Sequence, residues 1–145
     1  MSKSLLYLII PFSIFLLTSC SNASTSEESP VEASYFETEN YTMLGEEGKV
    51  GFILGQNEDL VANNTKKYMW HLWGNEEFEN KDFEVKGINL DNSDEKTLVT
   101  SPIAGPNNGA DAHIPSNMTF PSEGTWELDI LVGGELFYKM TVEIL

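Results

Sequence analysis

This chain has very little cysteine, arginine or histidine. It holds one cysteine, Cys20, no arginine and two histidines. A lone cysteine cannot close an intramolecular disulfide, so a folded domain has to depend on an ordinary apolar core. Arginine is the usual fork for phosphate, and the chain carries 23 acidic residues against eight lysines. We therefore expect no nucleic-acid partner.

Long apolar runs are also missing, with one exception near the start of the chain. The run from Leu5 to Leu17 has 13 residues and follows the positively charged Lys3. It is shorter than the roughly 20 residues that a membrane-spanning helix needs. Its length fits the apolar region of a secretory signal. The sequence thus predicts a signal peptide over residues 1–19.

The cysteine stands directly after this run, in Leu17-Thr18-Ser19-Cys20. An aliphatic residue, two small residues and a cysteine resemble the lipobox of bacterial lipoproteins. That resemblance implies cleavage before Cys20 and attachment of diacylglycerol to its sulfur. Two acyl chains hold a protein stably on a bilayer. The implied location is the extracytoplasmic face of the cell membrane. The alternative is a chance or buried cysteine beside a plain secretory signal.

Residues 20–34 are predicted to be the lipidated cysteine and a flexible acidic linker, because residues 21–34 are small, polar and acidic. A linker of this length reaches about 20 Å. Residues 35–145 then form one domain, long enough for a core of its own. Counted from residue 21, the chain has seven lysines and a net charge of −16, which we interpret as a solvated surface.

Apolar and polar residues alternate in short runs throughout residues 35–145, and no run of 11 residues has a helical period. This pattern predicts an all-β fold, an immunoglobulin-like antiparallel β-sandwich of about seven strands. A change of parity near Gly87 predicts a β-bulge there, and Pro115 predicts an edge strand or a bend. Residues expected to share an apolar face within their strands are Val50, Phe52, Leu54, Tyr68, Trp70, Leu72, Phe83, Val85, Trp126, Leu128 and Ile130.

The last two runs form a predicted hairpin around Gly133 and Gly134. A two-residue loop would place the two apolar stripes on opposite faces of the sheet. We therefore predict a three-residue loop, Val132-Gly133-Gly134, which pairs Leu128 with Tyr138 and Trp126 with Met140.

The chain as a whole resembles small lipoproteins of Bacillus-type bacteria that carry a single domain of unknown function. Beyond the lipobox, three motifs carry the resemblance: Met69-Trp70-His71-Leu72-Trp73-Gly74, Ala110-Asp111-Ala112-His113-Ile114-Pro115-Ser116-Asn117-Met118 and Gly124-Thr125-Trp126-Glu127-Leu128-Asp129. The resemblance implies the lipid anchor and the sandwich. It implies no catalytic residues.

The aromatic run around Trp70 contains the candidate binding residues. If Trp70 is buried, the residues of opposite parity, Met69, His71 and Trp73, face outward and form a partly exposed interaction patch. Leu131 or Phe137 could join it. The alternative is that this run is all core. An exposed Trp73 predicts that Trp73→Ala leaves the melting temperature nearly unchanged.

His71, His113 and Asp111 are candidate metal ligands, since two histidines and a carboxylate can hold zinc. The alternative is that His71 is a half-buried sheet residue and His113 a loop residue. Because close ligand spacing is missing, we expect no metal and no cofactor.

The sequence offers no catalytic motif, neither a nucleophile elbow nor a phosphate loop, so we expect a protein that is not an enzyme. The predicted function is a non-catalytic protein-interaction module, held to the membrane through Cys20, that docks on another membrane or exported protein. The alternative is a ligand-binding lipoprotein for a peptide, a cell-wall fragment or a cation. A flat surface would favour the first function, and a concave apolar site would favour the second.

Overall fold

The computed structural model describes residues 29–145. The predicted signal peptide, Cys20 and most of the predicted linker lie outside the described residues. Ten strands follow one another along the chain. They are β1 (Val31–Glu32), β2 (Ser34–Glu37), β3 (Thr42–Glu46), β4 (Val50–Ile53), β5 (Lys66–Leu72), β6 (Asp82–Asn89), β7 (Glu95–Pro102), β8 (Ala112–Met118), β9 (Gly124–Val132) and β10 (Glu135–Ile144).

The strands form two five-stranded sheets that pack face to face. Sheet I has the order β1-β10-β9-β6-β7, and sheet II has the order β2-β3-β4-β5-β8. The predicted all-β class and the sandwich are confirmed. The structure has ten strands rather than the predicted seven. Part of the difference is that β1 begins at Val31 and β2 at Ser34, before the predicted start of the domain at Tyr35. In residues 29–145 no helix has the length and apolar character needed to cross a membrane.

The chain changes sheets at its first two strands. β1 pairs with β10 in parallel, the only parallel pair among the described strands, through Val31 opposite Met140. After Ala33 the chain crosses to sheet II, where β2 pairs with β3. This crossing links the two sheets at one flank of the sandwich.

The core lies between the sheets and is built from aromatic side chains. Trp70 is fully buried, with ring centroids 4.6 Å from Phe52 in its own sheet and 5.4 Å from Phe83 in sheet I. The shared inward face predicted for Tyr68, Trp70 and Leu72 is confirmed, since all three are buried. Alternation of inward and outward side chains follows from the two-residue period of a strand.

The β-bulge predicted at Gly87 is wrong. β6 keeps its parity to the end, and Gly87 and Asn89 continue the buried face of Phe83 and Val85. The irregularity lies one strand away, where Val85 pairs with Val99 but Lys86 pairs with Thr97, so β7 carries the extra residue. The absence of a side chain at Gly87 makes room for the Trp126 ring, which lies 2.9 Å from where a Cβ would stand.

The predicted register of the last hairpin is also wrong. The requirement behind it, that both apolar stripes lie on one face of the sheet, is met in another way. The loop has two residues, because Val132 pairs directly with Glu135. The strand then restores the inward face with a bulge between Leu136 and Tyr138, after which Tyr138 pairs with Ile130. The bulge reverses parity as the longer loop would have done. Met140 and Val142 therefore point into the core.

The free edges of β7 and β8 carry features that discourage pairing with another strand. Pro115 lies in β8, at the edge of sheet II, as predicted. The bulge of β7 lies at the edge of sheet I. Proline and bulges at an edge remove donors and twist the strand away from partners. Docking by strand addition is thus disfavoured on this flank.

Replacement of Gly87 by alanine should destabilise the fold by about 1–3 kcal/mol, because the new methyl group would overpack against Leu98 and Trp126. Urea unfolding measures the change. Gly105→Ala is the matched control, since nothing lies within 4 Å of its added Cβ. Equal stability of the two variants would contradict the close packing at Gly87.

Candidate functional site

The predicted patch residues Met69, His71 and Trp73 lie on the outer face of sheet II, opposite in parity to Trp70. Their exposure differs from the expectation. His71 is completely buried, so its predicted exposure is wrong, and Met69 and Trp73 are half-buried.

A hairpin turn covers this patch and explains the burial. Asn108 and Gly109 form the tip between the bridged residues Asn107 and Ala110. Both tip residues have positive φ, 49° and 78°, as the Asn-Gly sequence favours. The Trp73 indole N–H donates to the Gly109 carbonyl at 3.0 Å, and Asn108 Nδ2 lies 3.1 Å from His71 Nε2.

The covered side chains form a small second apolar layer. Trp73 packs between Phe36 and His71, with ring centroids at 6.0 Å and 6.1 Å. Phe36 lies directly over Gly51, where a Cβ would stand 2.8 Å from its ring. We call Phe36, His71 and Trp73 the outer cluster. The absence of a side chain at Gly51 leaves room for the Phe36 ring.

Leu131 and Phe137 do not join the outer cluster, because they belong to sheet I. Phe137 instead packs edge-on against Phe78, and the Lys49 ammonium lies 3.8 Å from its ring centroid. Phe137 thus packs against the edge of the core rather than against the outer cluster.

His71 is held as a neutral imidazole. Its Nδ1 lies 3.2 Å from the Met69 carbonyl, which only accepts, and its Nε2 faces the Asn108 amide, which donates. The proton therefore resides on Nδ1. Burial is the main cause that lowers the pKa of His71, the Met69 carbonyl opposes this, and His113 adds a smaller lowering effect.

The histidines considered for a metal site do meet, since His71 and His113 are direct partners across β5 and β8. Asp111 turns elsewhere, and its Oδ2 accepts a hydrogen bond from the Gly74 N–H at 2.9 Å. His113 Nδ1 is 2.6 Å from the Gly105 carbonyl. No group of three or more potential metal ligands occurs within residues 29–145.

A concave site that the sequence did not indicate lies on the other flank, beside the β1–β2 crossing. We call it the inter-sheet cleft; its volume is about 530 Å³. That volume falls within the roughly 300–1,000 Å³ of small-molecule sites. Its apolar lining comes from both sheets and from the loop after β4, namely Ala33, Tyr35, Leu44, Leu54, Leu60, Val142 and Leu145.

The cleft is closed at its far end by backbone pairing. Leu145 N–H donates to the Leu60 carbonyl at 2.9 Å, and Ala62 N–H donates to the Leu145 carbonyl at 2.8 Å. Leu60 is buried at the floor, whereas Leu145 is 56% exposed and Tyr35 is 41% exposed. Apolar side chains on the walls of the inter-sheet cleft are therefore exposed to solvent.

The charged residues of the cleft are all acidic. Its lining includes four carboxylates, Glu32, Glu58, Asp59 and Glu143, and no lysine. None of the four takes part in an ion pair among the described residues. The negative field is visible at Tyr35, whose pKa is raised by burial first and then by Asp59 and Glu58. No local sequence pattern reveals the site, because its residues come from five separate segments.

Comparison with protein families gives a match over residues 23–142 to DUF4871, a domain of unknown function. The chain belongs to this family. A comparison with curated proteins found no match.

Two solved structures are similar to this chain. One is a Bacillus anthracis protein provisionally described as a lipoprotein, with 17% identity and a TM-score of 0.60, covering 79% of this chain and 85% of that one. The other is the Lin-41 filamin domain, with 17% identity and a TM-score of 0.40, covering 68% and 94%. At this identity the first likeness supports the fold alone.

Trp73→Ala should lower the stability by about 2 kcal/mol, because it removes two ring contacts and the hydrogen bond to Gly109. This replaces the expectation drawn from an exposed Trp73. Thermal unfolding measures the loss. Trp73→Phe should lose less stability than Trp73→Ala, because it keeps an aromatic ring. An unchanged melting temperature in Trp73→Ala would show that the outer cluster does not stabilise the fold.

Stability should fall as the pH is lowered through about 6.5, because the lowered pKa of His71 makes the unfolded chain bind protons more readily than the folded one. The contribution is fully present above this range. Chemical unfolding between pH 8 and pH 5 measures it. His71→Gln should reduce the slope, and an identical slope in both proteins would contradict the assignment.

Proposed function

We propose that this chain is a membrane-anchored extracytoplasmic lipoprotein with a non-catalytic binding role, and that the inter-sheet cleft is its binding site. The observation that carries the proposal is the recess itself, in which apolar walls and four carboxylates without ion-pair partners in the described chain converge. Recesses with an apolar lining and a few convergent polar groups are the usual form of a ligand site.

Three features of the sequence and one structural neighbour support the anchor. The sequence offers a signal-like run, the Leu17-Thr18-Ser19-Cys20 motif and an acidic linker in the right order. The structural neighbour from Bacillus anthracis is itself described, provisionally, as a lipoprotein. Cys20 is accordingly the lipidated residue of the proposal.

The cleft favours the ligand-binding alternative over a flat docking face. The outer cluster, which contains two of the three predicted patch residues, is already occupied by the chain's own 107–110 turn. A partner would have to displace that turn to reach His71. The cleft needs no such rearrangement, since Tyr35 and Leu145 are exposed on its walls.

The anchor is tested by fractionation of cells that express the full chain. Wild type should be recovered with the membrane and labelled by a clickable palmitate analogue, whereas Cys20→Ala should show neither property. Membrane recovery of the alanine variant together with loss of label would overturn Cys20 as the anchor.

The binding role is tested in the same cells with a photo-crosslinking amino acid at Tyr35, on the cleft wall, or at Thr97, on the opposite edge of sheet I. A discrete adduct from position 35 that is absent from position 97 supports the cleft as the binding site. Equal labelling from both positions, or no adduct from position 35, would overturn it.

A further inference from the structure

The charge of the inter-sheet cleft restricts its occupant. Four carboxylates and no cation line an apolar recess, and all seven lysines of residues 21–145 lie elsewhere. Resting on the proposed function, we infer that the cleft binds an extended segment of a partner protein in which a lysine or arginine is flanked by apolar side chains.

The lining matches both parts of such a side chain. Lysine has an apolar stem of four methylene groups and a charged head, and it buries the stem while the head stays near water. In the cleft the buried floor of Leu44, Leu54 and Leu60 would receive apolar groups. The exposed carboxylates at the mouth would receive the ammonium or guanidinium head.

An extended segment fits better than a free amine because of the strands beside the cleft. β1 contributes Glu32 and β2 contributes Tyr35 to the lining, and both are edge strands with a single neighbour. Each therefore has backbone N–H and C=O groups along its free side that an extended chain can pair with. Unlike β8, neither strand carries a proline.

The chain's own linker is a poor occupant of the cleft. The segment just before the described residues contains Glu27 and Glu28 and no lysine between Cys20 and Ser29. Like charges would oppose its entry. The occupant is thus a separate molecule, and its positive charge is what recruits it.

The test uses the soluble chain that begins after Cys20 and three capped peptides, Leu-Lys-Leu-Lys-Leu, Leu-Glu-Leu-Glu-Leu and Ser-Lys-Ser-Lys-Ser. Isothermal titration at 20 mM salt should show binding of the first and at least tenfold weaker binding of the other two. Amide NMR shifts should move at Leu60 and Val142, which line the cleft. Equal binding of the acidic peptide, or shifts confined to other regions, overturns the inference.

Variants that remove carboxylates test whether the charge of the inter-sheet cleft determines the affinity for the first peptide. Glu32→Gln with Asp59→Asn removes two exposed carboxylates at the cleft and should weaken the first peptide by about fivefold. Glu95→Gln with Asp94→Asn removes two exposed carboxylates at the opposite edge of sheet I, is the matched control and should leave the affinity for the first peptide unchanged. A larger loss in the control than in the cleft variant overturns the site. At 0.5 M salt the difference should shrink, because screening weakens exposed charges.

Two further probes separate the alternatives. Butylamine or calcium chloride binding at the cleft as tightly as the basic peptide would overturn the peptide class in favour of a small cation. If position 35 crosslinks in cells while the peptides do not discriminate by charge, the proposed function stands and only the ligand class fails. If position 35 gives no adduct and the peptides do not bind, both fail.

Discussion

The contact between Trp70 and Phe83 joins the two sheets, and the rest of the structure depends on it. Residues 29–145 contain no cysteine, so no disulfide can tie the sheets together. The aromatic rings meet at 5.4 Å across the interface instead, and such pairs add about 0.5–1.5 kcal/mol beyond simple burial. The Trp70 indole N–H has no hydrogen-bond partner among the described residues. Aromatic packing has to outweigh that loss.

Strand positions could be predicted from the sequence because parity is a local property. Trp70, Phe52 and Phe83 alternate with polar or outward neighbours, and their burial follows from that period alone. The positions of β-bulges were harder to predict, because the extra residue can lie in either strand of a pair. At Gly87 the extra residue is in β7, and in the last hairpin it is in the strand rather than in the loop.

The candidate sites were less predictable than the strands because they depend on contacts between distant segments. His71 has outward parity, yet the 107–110 turn brings Asn108, which is 37 residues further along the chain, onto its ring and removes it from water. The inter-sheet cleft joins residues as far apart as Glu32 and Leu145. No periodicity in a single strand encodes either arrangement.

The two outer faces of the sandwich have different chemistry. On sheet I, Lys139 donates to Glu127 at 2.9 Å and lies 3.2 Å from Asp129, and the hydrogen bond to Glu127 is the main cause that raises the pKa of Lys139. That face therefore carries a cluster of charged side chains. Sheet II carries the outer cluster under its turn. The inter-sheet cleft lies on the flank between them, where the chain crosses from β1 to β2.

The parallel pairing of β1 with β10 fixes the direction from which the chain enters the domain. The backbone enters β1 at Val31 from the end of the sandwich that holds the Gly133–Gly134 turn. With the proposed lipid anchor at Cys20, that end would be the one nearer the bilayer. The cleft, bounded by Leu60 and Leu145, lies toward the opposite end. The proposed binding site therefore lies at the end of the sandwich away from the proposed anchor.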